Sequence, residues 1–212
     1  MKLPFTTEQF FNVIEKYNST LFPFQIVILL LGIVCLFLFH SKSTARNQLI
    51  GSYLGILWIW IGITYHLVFF TVINKAAFLF GGIFILQGLL ILHSTLVKNS
   101  LSFTFASQTG DYFGYFFILY GLIIYPVVSY FAEGSLARTI IVGLPCPSTI
   151  LTFGFFILTS NKFPKYLLII PSVWAIVGLC AAINIGVIQD VMILIAAVTA
   201  DILLIRRNSH HD

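Results

Sequence analysis

"LIGSYLGILWIWIGITYHLVFFTVINKAAFLFGGIFILQGLLILHSTLV" runs from Leu49 to Val97, and its only charged side chain is Lys75. A helix of about 20 apolar residues crosses the hydrocarbon core of a bilayer. The stretch holds two runs of that kind, Leu49–Ile73 and Ala76–Val97, interrupted only by Asn74 and Lys75. The pattern predicts a tight helical hairpin through a membrane.

Working outward, five more apolar runs follow the same rule: Leu21–Phe39, Tyr112–Phe131, Thr139–Leu158, Tyr166–Val187 and Gln189–Ile205. The whole chain is 8% charged, against roughly 25% in soluble domains. So few charges cannot cover a water-exposed surface. The expected fold is an all-α polytopic membrane helix bundle with seven transmembrane helices, or six if the short last run only half inserts. Residues 21–205 form the bundle and 206–212 a short tail. Residues 1–20 form a separate amphipathic helix: Thr6 and Gln9 make a capping box, and Phe10, Phe11, Ile14 and Tyr17 share one helical face. Such a helix lies at the membrane interface or packs on the bundle as a lid. The first apolar run is too long for a signal peptide and lacks a small-residue cleavage site. Cys35, Cys146 and Cys180 all lie in apolar runs, an odd number that makes no disulfide framework.

Basic residues set orientation. One side of a seven-span bundle carries Lys2, Lys16, Lys75 and Arg138. The other carries Lys42, Arg46, Lys98, Lys162, Lys165, Arg206 and Arg207. The richer side is expected to be cytoplasmic, with the N-terminus outside and the C-terminus inside. The net charge of +4 is small and scattered over loops, so the expected partners are the lipid bilayer and a small ligand, not nucleic acid. A homo-oligomer is compatible with this composition.

Four strings, "PFTTEQF", "LWIWIGITYHLVFF", "INKAAFLFG" and "PCPSTILTFG", together resemble a bacterial integral-membrane family of unknown function over nearly the whole chain. The resemblance implies a multi-pass protein of the bacterial inner membrane and assigns no catalytic residues.

The last string interrupts its own run. Pro145 and Pro147 each lack an N–H and clash with the preceding turn. The helix is expected to stop near Gly143 and restart near Pro147, with Cys146 as its N-cap. A thiol at the positive end of a helix is favoured as thiolate. Cys-Pro resembles a membrane element of heavy-metal P-type ATPases, although only one cysteine and no ATPase domain are present. Against these readings stands a plain kink that packs Cys146 as a small apolar residue.

Helical rise converts position to depth. His66 and His93 should differ in depth by about 15 Å, too far to share one ligand. His66, Tyr125, Cys146, Ser148, Thr149, Asn184 and Asp190 instead fall in the same half of the bundle as candidate ligand-binding residues, with Cys146 and His66 as candidates for a soft metal ion. Asp201 is a candidate proton carrier, or pairs with basic groups at its helix end. No phosphate-binding Gly-Lys-Ser/Thr loop, nucleophile elbow or H-E-x-x-H occurs. The favoured function is binding or transport of a small solute or soft metal ion in an outward-facing polar pocket around Cys146. The alternatives are a thiol-dependent enzyme, with Cys146 as nucleophile and His66 as base, and a structural or sensory subunit without chemistry.

Overall fold

In hydrocarbon, a backbone must satisfy its own hydrogen bonds, so long apolar runs fold as helices. The computed structural model describes residues 3–39, 41, 43, 45–104, 109–160 and 162–209. Lys2 and Lys42 of the charge count, and His40, His210 and His211, lie outside the described residues.

The chain opens with α1 (Thr7–Leu21), started by the Thr6–Gln9 capping box. It turns by 85° into α2 (Phe24–Leu38). Gln25 spans this corner by donating to the Asn18 carbonyl at 2.9 Å, which also accepts the Phe22 N–H at the end of α1. Next, α3 (Arg46–Trp60) continues through a π-helical segment, Ile61–Phe69, and a 3-10 turn to Val72. It pairs with α4 (Ala77–Leu92), which ends in a π-helical segment, His93–Val97. Then α5 (Thr109–Leu119) passes through π-helical Tyr120–Ile124 into α6 (Tyr125–Glu133). A short α7 (Pro145–Ile157), α8 (Tyr166–Ile185) and α9 (Val191–Ser209) complete the bundle. No strand occurs among the described residues, only isolated bridges such as Phe103 with Thr159.

Five helices are long and apolar enough to cross a membrane: Arg46–Val72, Ala77–Val97, Gly110–Glu133, Tyr166–Ile185 and Ile188–Ser209. A sixth results if bent α1 and α2 count as one broken span. The last helix, expected to be short, is 22 residues long. The run Thr139–Leu158 departs most from expectation. Residues 139–144 are not helical, and the 13 residues of α7 reach only about 20 Å, short of a hydrocarbon core of roughly 30 Å. Every residue of α7 except Cys146 is buried, because α3, α5, α8 and α9 enclose it. It is the central helix of the bundle, buried all round because protein surrounds it.

Glycines let backbones touch at two crossings. A Cβ on Gly88 would lie 2.5 Å from the Gly55 carbonyl oxygen, and one on Gly154 would lie 2.7 Å from that of Gly114. These contacts seat α4 on α3 and α7 on α5, as small residues do in membrane bundles.

Side chains repair the broken ladders. Within the π-helical segments, Thr64 donates to the Trp60 carbonyl at 2.6 Å, and Thr95 to that of Ile91 at 2.8 Å. Hydroxyls that take the carbonyl four residues back loosen the local helix. The third π-helical segment precedes Pro126, whose ring and missing N–H disturb the turn before it. In α8, Pro171 cannot donate to Leu167. The Gln87 amide from α4 supplies that carbonyl instead, at 2.9 Å. Arg207 of α9 donates to the Ile157 and Thr159 carbonyls, closing the C-terminal end of α7.

Candidate functional site

One end of the bundle collects the α3–α4 hairpin, the 134–144 loop, the α8–α9 hairpin and the N-terminal segment. Pro145 decides the local geometry. It pushes Leu144 to extended backbone (φ −105°, ψ 156°), making Leu144 the N-cap of α7. Proline then starts the helix at its first position, where its missing N–H costs nothing. Gly143 takes φ +105°, a conformation open to glycine, and its N–H donates to the Ser148 hydroxyl at 2.9 Å. The helix therefore starts at Pro145, two residues earlier than expected, and Cys146 is its second residue, not its N-cap. Leu144 makes no side-chain cap, and the Cys146 thiol lies beside Asp190.

Over this start lies α1. The Tyr17 hydroxyl donates to the Gly143 carbonyl at 2.8 Å and accepts from the Trp60 indole at 2.9 Å. Asn18 donates to the Ala137 and Thr139 carbonyls, both at 2.8 Å. Arg138 reaches back to bond Glu8, Glu15 and Asn12. The first helix is thus a docked lid, and its buried face is Phe11, Val13, Ile14 and Tyr17.

Beneath this lid and against α8 is a cavity of about 480 Å³. Tyr125, Cys146, Asn184 and Asp190 all line it. Its walls also include Tyr65, Phe70, Phe80 and Trp174, and the N-terminal residues Leu3 to Phe5, Phe10 and Ile14 close one side. The floor is polar and buried. Tyr125 is fully buried and donates its hydroxyl to Asp190, itself 6% exposed. The Cys146 thiol and Tyr65 lie within electrostatic range of that carboxylate. The Trp174 indole N–H is buried without a hydrogen-bond partner. The rim is exposed at Pro4, Ala76, Ile176, Cys180 and Asn184, and most of the remaining wall is apolar.

The other candidates are placed elsewhere. His66 is fully buried, does not line the cavity, and has neither ring nitrogen bonded. It is boxed by Tyr65, Phe70, Phe80, Phe84 and Trp174, with the Phe84 ring centre 4.6 Å away. Trp174 both touches His66 and walls the cavity. Ser148 and Thr149 are buried and spent on backbone: Ser148 holds Gly143, and Thr149 donates to the Pro145 carbonyl at 2.8 Å. Asn184 donates to the Cys180 carbonyl of its own helix at 2.6 Å. Asp201 accepts from Ser172 at 3.0 and 3.1 Å, a partner on α8 and not a basic group at the helix end. Among the described residues, no three His, Cys, Asp or Glu side chains are grouped to hold a metal ion.

Depth arithmetic does not give helix rotation, so it could not separate His66 from its neighbour Tyr65, which does face the cavity. Nor did it reveal the lid contribution. For the lid, Phe10 and Ile14 belong to the helical face that the sequence shows, while Leu3, Pro4 and Phe5 precede α1 and have no periodicity to mark them.

No curated protein and no solved structure matches this chain. A family model covers residues 7–212, nearly the whole chain. By that match, the chain belongs to the family of unknown function DUF6064.

Proposed function

We propose that this is an integral membrane protein that binds a small amphipathic molecule in the cavity beneath α1. The observation that carries the reading is the polarity gradient of the cavity. Tyr125 and Asp190 make a buried polar floor, while Ile176 and Cys180 at the exposed mouth and the lid residues Phe5, Phe10 and Ile14 make a mostly apolar wall. Pockets for small molecules are mostly apolar, with a few placed polar groups that orient the ligand. A ligand seated here puts its polar group on the floor and its apolar body toward α8.

The surroundings favour arrival from the bilayer. Ile176, at the mouth, is 59% exposed, and Ile183 on the same helix 73%. Exposed apolar side chains on this scale suit lipid contact. Binding is favoured over passage through the protein, because α7 continues beyond the floor as fully buried Phe153, Phe155 and Phe156. The Lys/Arg bias supports an orientation with the cavity end outside the cytoplasm of a bacterial inner membrane. The thiol-enzyme reading has no support from the site: Cys146 has an acid beside it, and His66 is boxed behind Trp174.

Gly178 offers the test. A Cβ there would meet Ile193 and the Cys146 sulfur at 3.6–3.9 Å, ordinary contact distances. Gly178→Leu therefore has room for its Cβ and adds its branch at the cavity wall, and circular dichroism and gel filtration check that the variant is folded. Calorimetric titration with octyl-chain amphiphiles should give saturable binding to the native protein and none to the variant. If no octyl amphiphile binds the native protein, the reading fails.

A further inference from the structure

We infer that the ligand is a cationic amphiphile, an amine of any substitution on an apolar tail, held with its nitrogen beside Asp190. The inference rests on the binding reading above and specifies its chemistry. Asp190 is more than nine-tenths buried. Among the described residues, no lysine or arginine lines the cavity. The groups beside the carboxylate are the Tyr125 hydroxyl and the Cys146 thiol, neither of which carries positive charge. A buried carboxylate is costly unless a counter-charge accompanies it. Among the described residues, the nearby cations do not supply one. Arg138 is engaged with Glu8 and Glu15 on α1, and Lys16 and Lys75 are exposed and off the cavity wall.

The walls suit a cation as well. Tyr65, Tyr125 and Trp174 share the cavity with Asp190, and aromatic faces attract ammonium groups, quaternary ones included. An anionic head group would meet the carboxylate instead and be repelled. A neutral head group would leave Asp190 without a counter-charge. The apolar rim at Ile176 and Val177 then requires a hydrocarbon tail, which excludes small hydrophilic amines.

The experiment is titration calorimetry of the purified full chain in a nonionic detergent with four probes of one tail length: octylamine, octyltrimethylammonium, octanol and octanoate. Both cations should bind about tenfold or more tightly than octanol, with octanoate weakest. In Asp190→Asn, which keeps an acceptor for Tyr125, the preference for the cations over octanol should collapse to about twofold or less. If octanol binds as tightly as the cations, or Asp190→Asn keeps the preference for the cations, the cationic assignment is overturned and the cavity reading stands. If none of the four binds the native protein, the cavity reading itself fails. Should Asp190→Asn not fold, the ranking of the four probes on the native protein still decides the matter.

Discussion

Single side chains carry much of the cost of bending helices in this bundle. Gln87 stands in for the N–H that Pro171 lacks, and it is fully buried. Removing a donor from a buried carbonyl costs about 1–3 kcal/mol. Gln87→Ala should lower thermal stability by that amount. Pro171→Ala restores the donor for Leu167, so the double variant should lose less than the sum of the two single changes, a coupling a double-mutant cycle measures. Strict additivity would sink the account. Cysteine reactivity gives a second residue-scale expectation. Cys35 is buried, Cys146 half-buried on the cavity wall and Cys180 exposed at the rim. N-ethylmaleimide should modify Cys180 first and Cys146 second, and a bound octyl amphiphile should protect Cys146. Mass spectrometry of peptides over time reads the order, and Cys35 reacting first would contradict it.

Helices were legible where hydropathy speaks, and less so where burial speaks. The hairpin Leu49–Val97 reads from sequence alone, since a long apolar run broken by Asn74 and Lys75 allows one fold in lipid. Its π-helical segments do not read, because they depend on hydroxyl bonds such as that of Thr64, which sequence cannot orient. The run Thr139–Leu158 misleads for a physical reason. Lipid and a protein interior select the same apolar residues, so a central buried helix and a span look alike until neighbours are known. The candidate site was legible in depth, because antiparallel hairpins bring Tyr125, Cys146, Asn184 and Asp190 to one end whatever their rotation. Rotation itself depends on packing, and the glycines record it. Gly88→Ala would place a Cβ against the Gly55 carbonyl, whereas at Gly82 nothing lies within 4 Å. Gly88→Ala should therefore destabilise α4 on α3 by about 1–3 kcal/mol. Gly82→Ala should be neutral or stabilising by a few tenths to about 1 kcal/mol. Equal melting temperatures for the two variants would rule out close backbone approach as the basis of this crossing.

At the scale of the molecule, α1 is the element whose position decides whether the cavity is closed. Two kinds of contact hold it. Tyr17 is fully buried and bonds both Gly143 and Trp60, so Tyr17→Phe should loosen the lid by about 1 kcal/mol at every pH. The second hold is charged and exposed. The Arg138 guanidinium bonds and attracts Glu8, holding its carboxyl below the ordinary value of 4.5, while Glu8 and Glu15 push Arg138 up. A carboxyl lowered in the folded state contributes fully above its unfolded value and loses that contribution as pH falls through the lowered one. The clamp is therefore constant from neutral pH down to about that ordinary value of 4.5 and weakens only in more acid solution. Salt should weaken it too, since both partners are solvated. Hydrogen exchange of α1 amides, corrected for intrinsic rate and referred to α8, provides the measurement. Exchange in α1 should stay slow from pH 7 to about pH 5 and quicken below the Glu8 value, and Arg138→Ala should make it faster at neutral pH and remove most of the acid dependence. Tyr17→Phe should raise exchange without altering the pH profile. If Arg138→Ala leaves the profile unchanged, the acid sensitivity of the lid has a source other than this clamp.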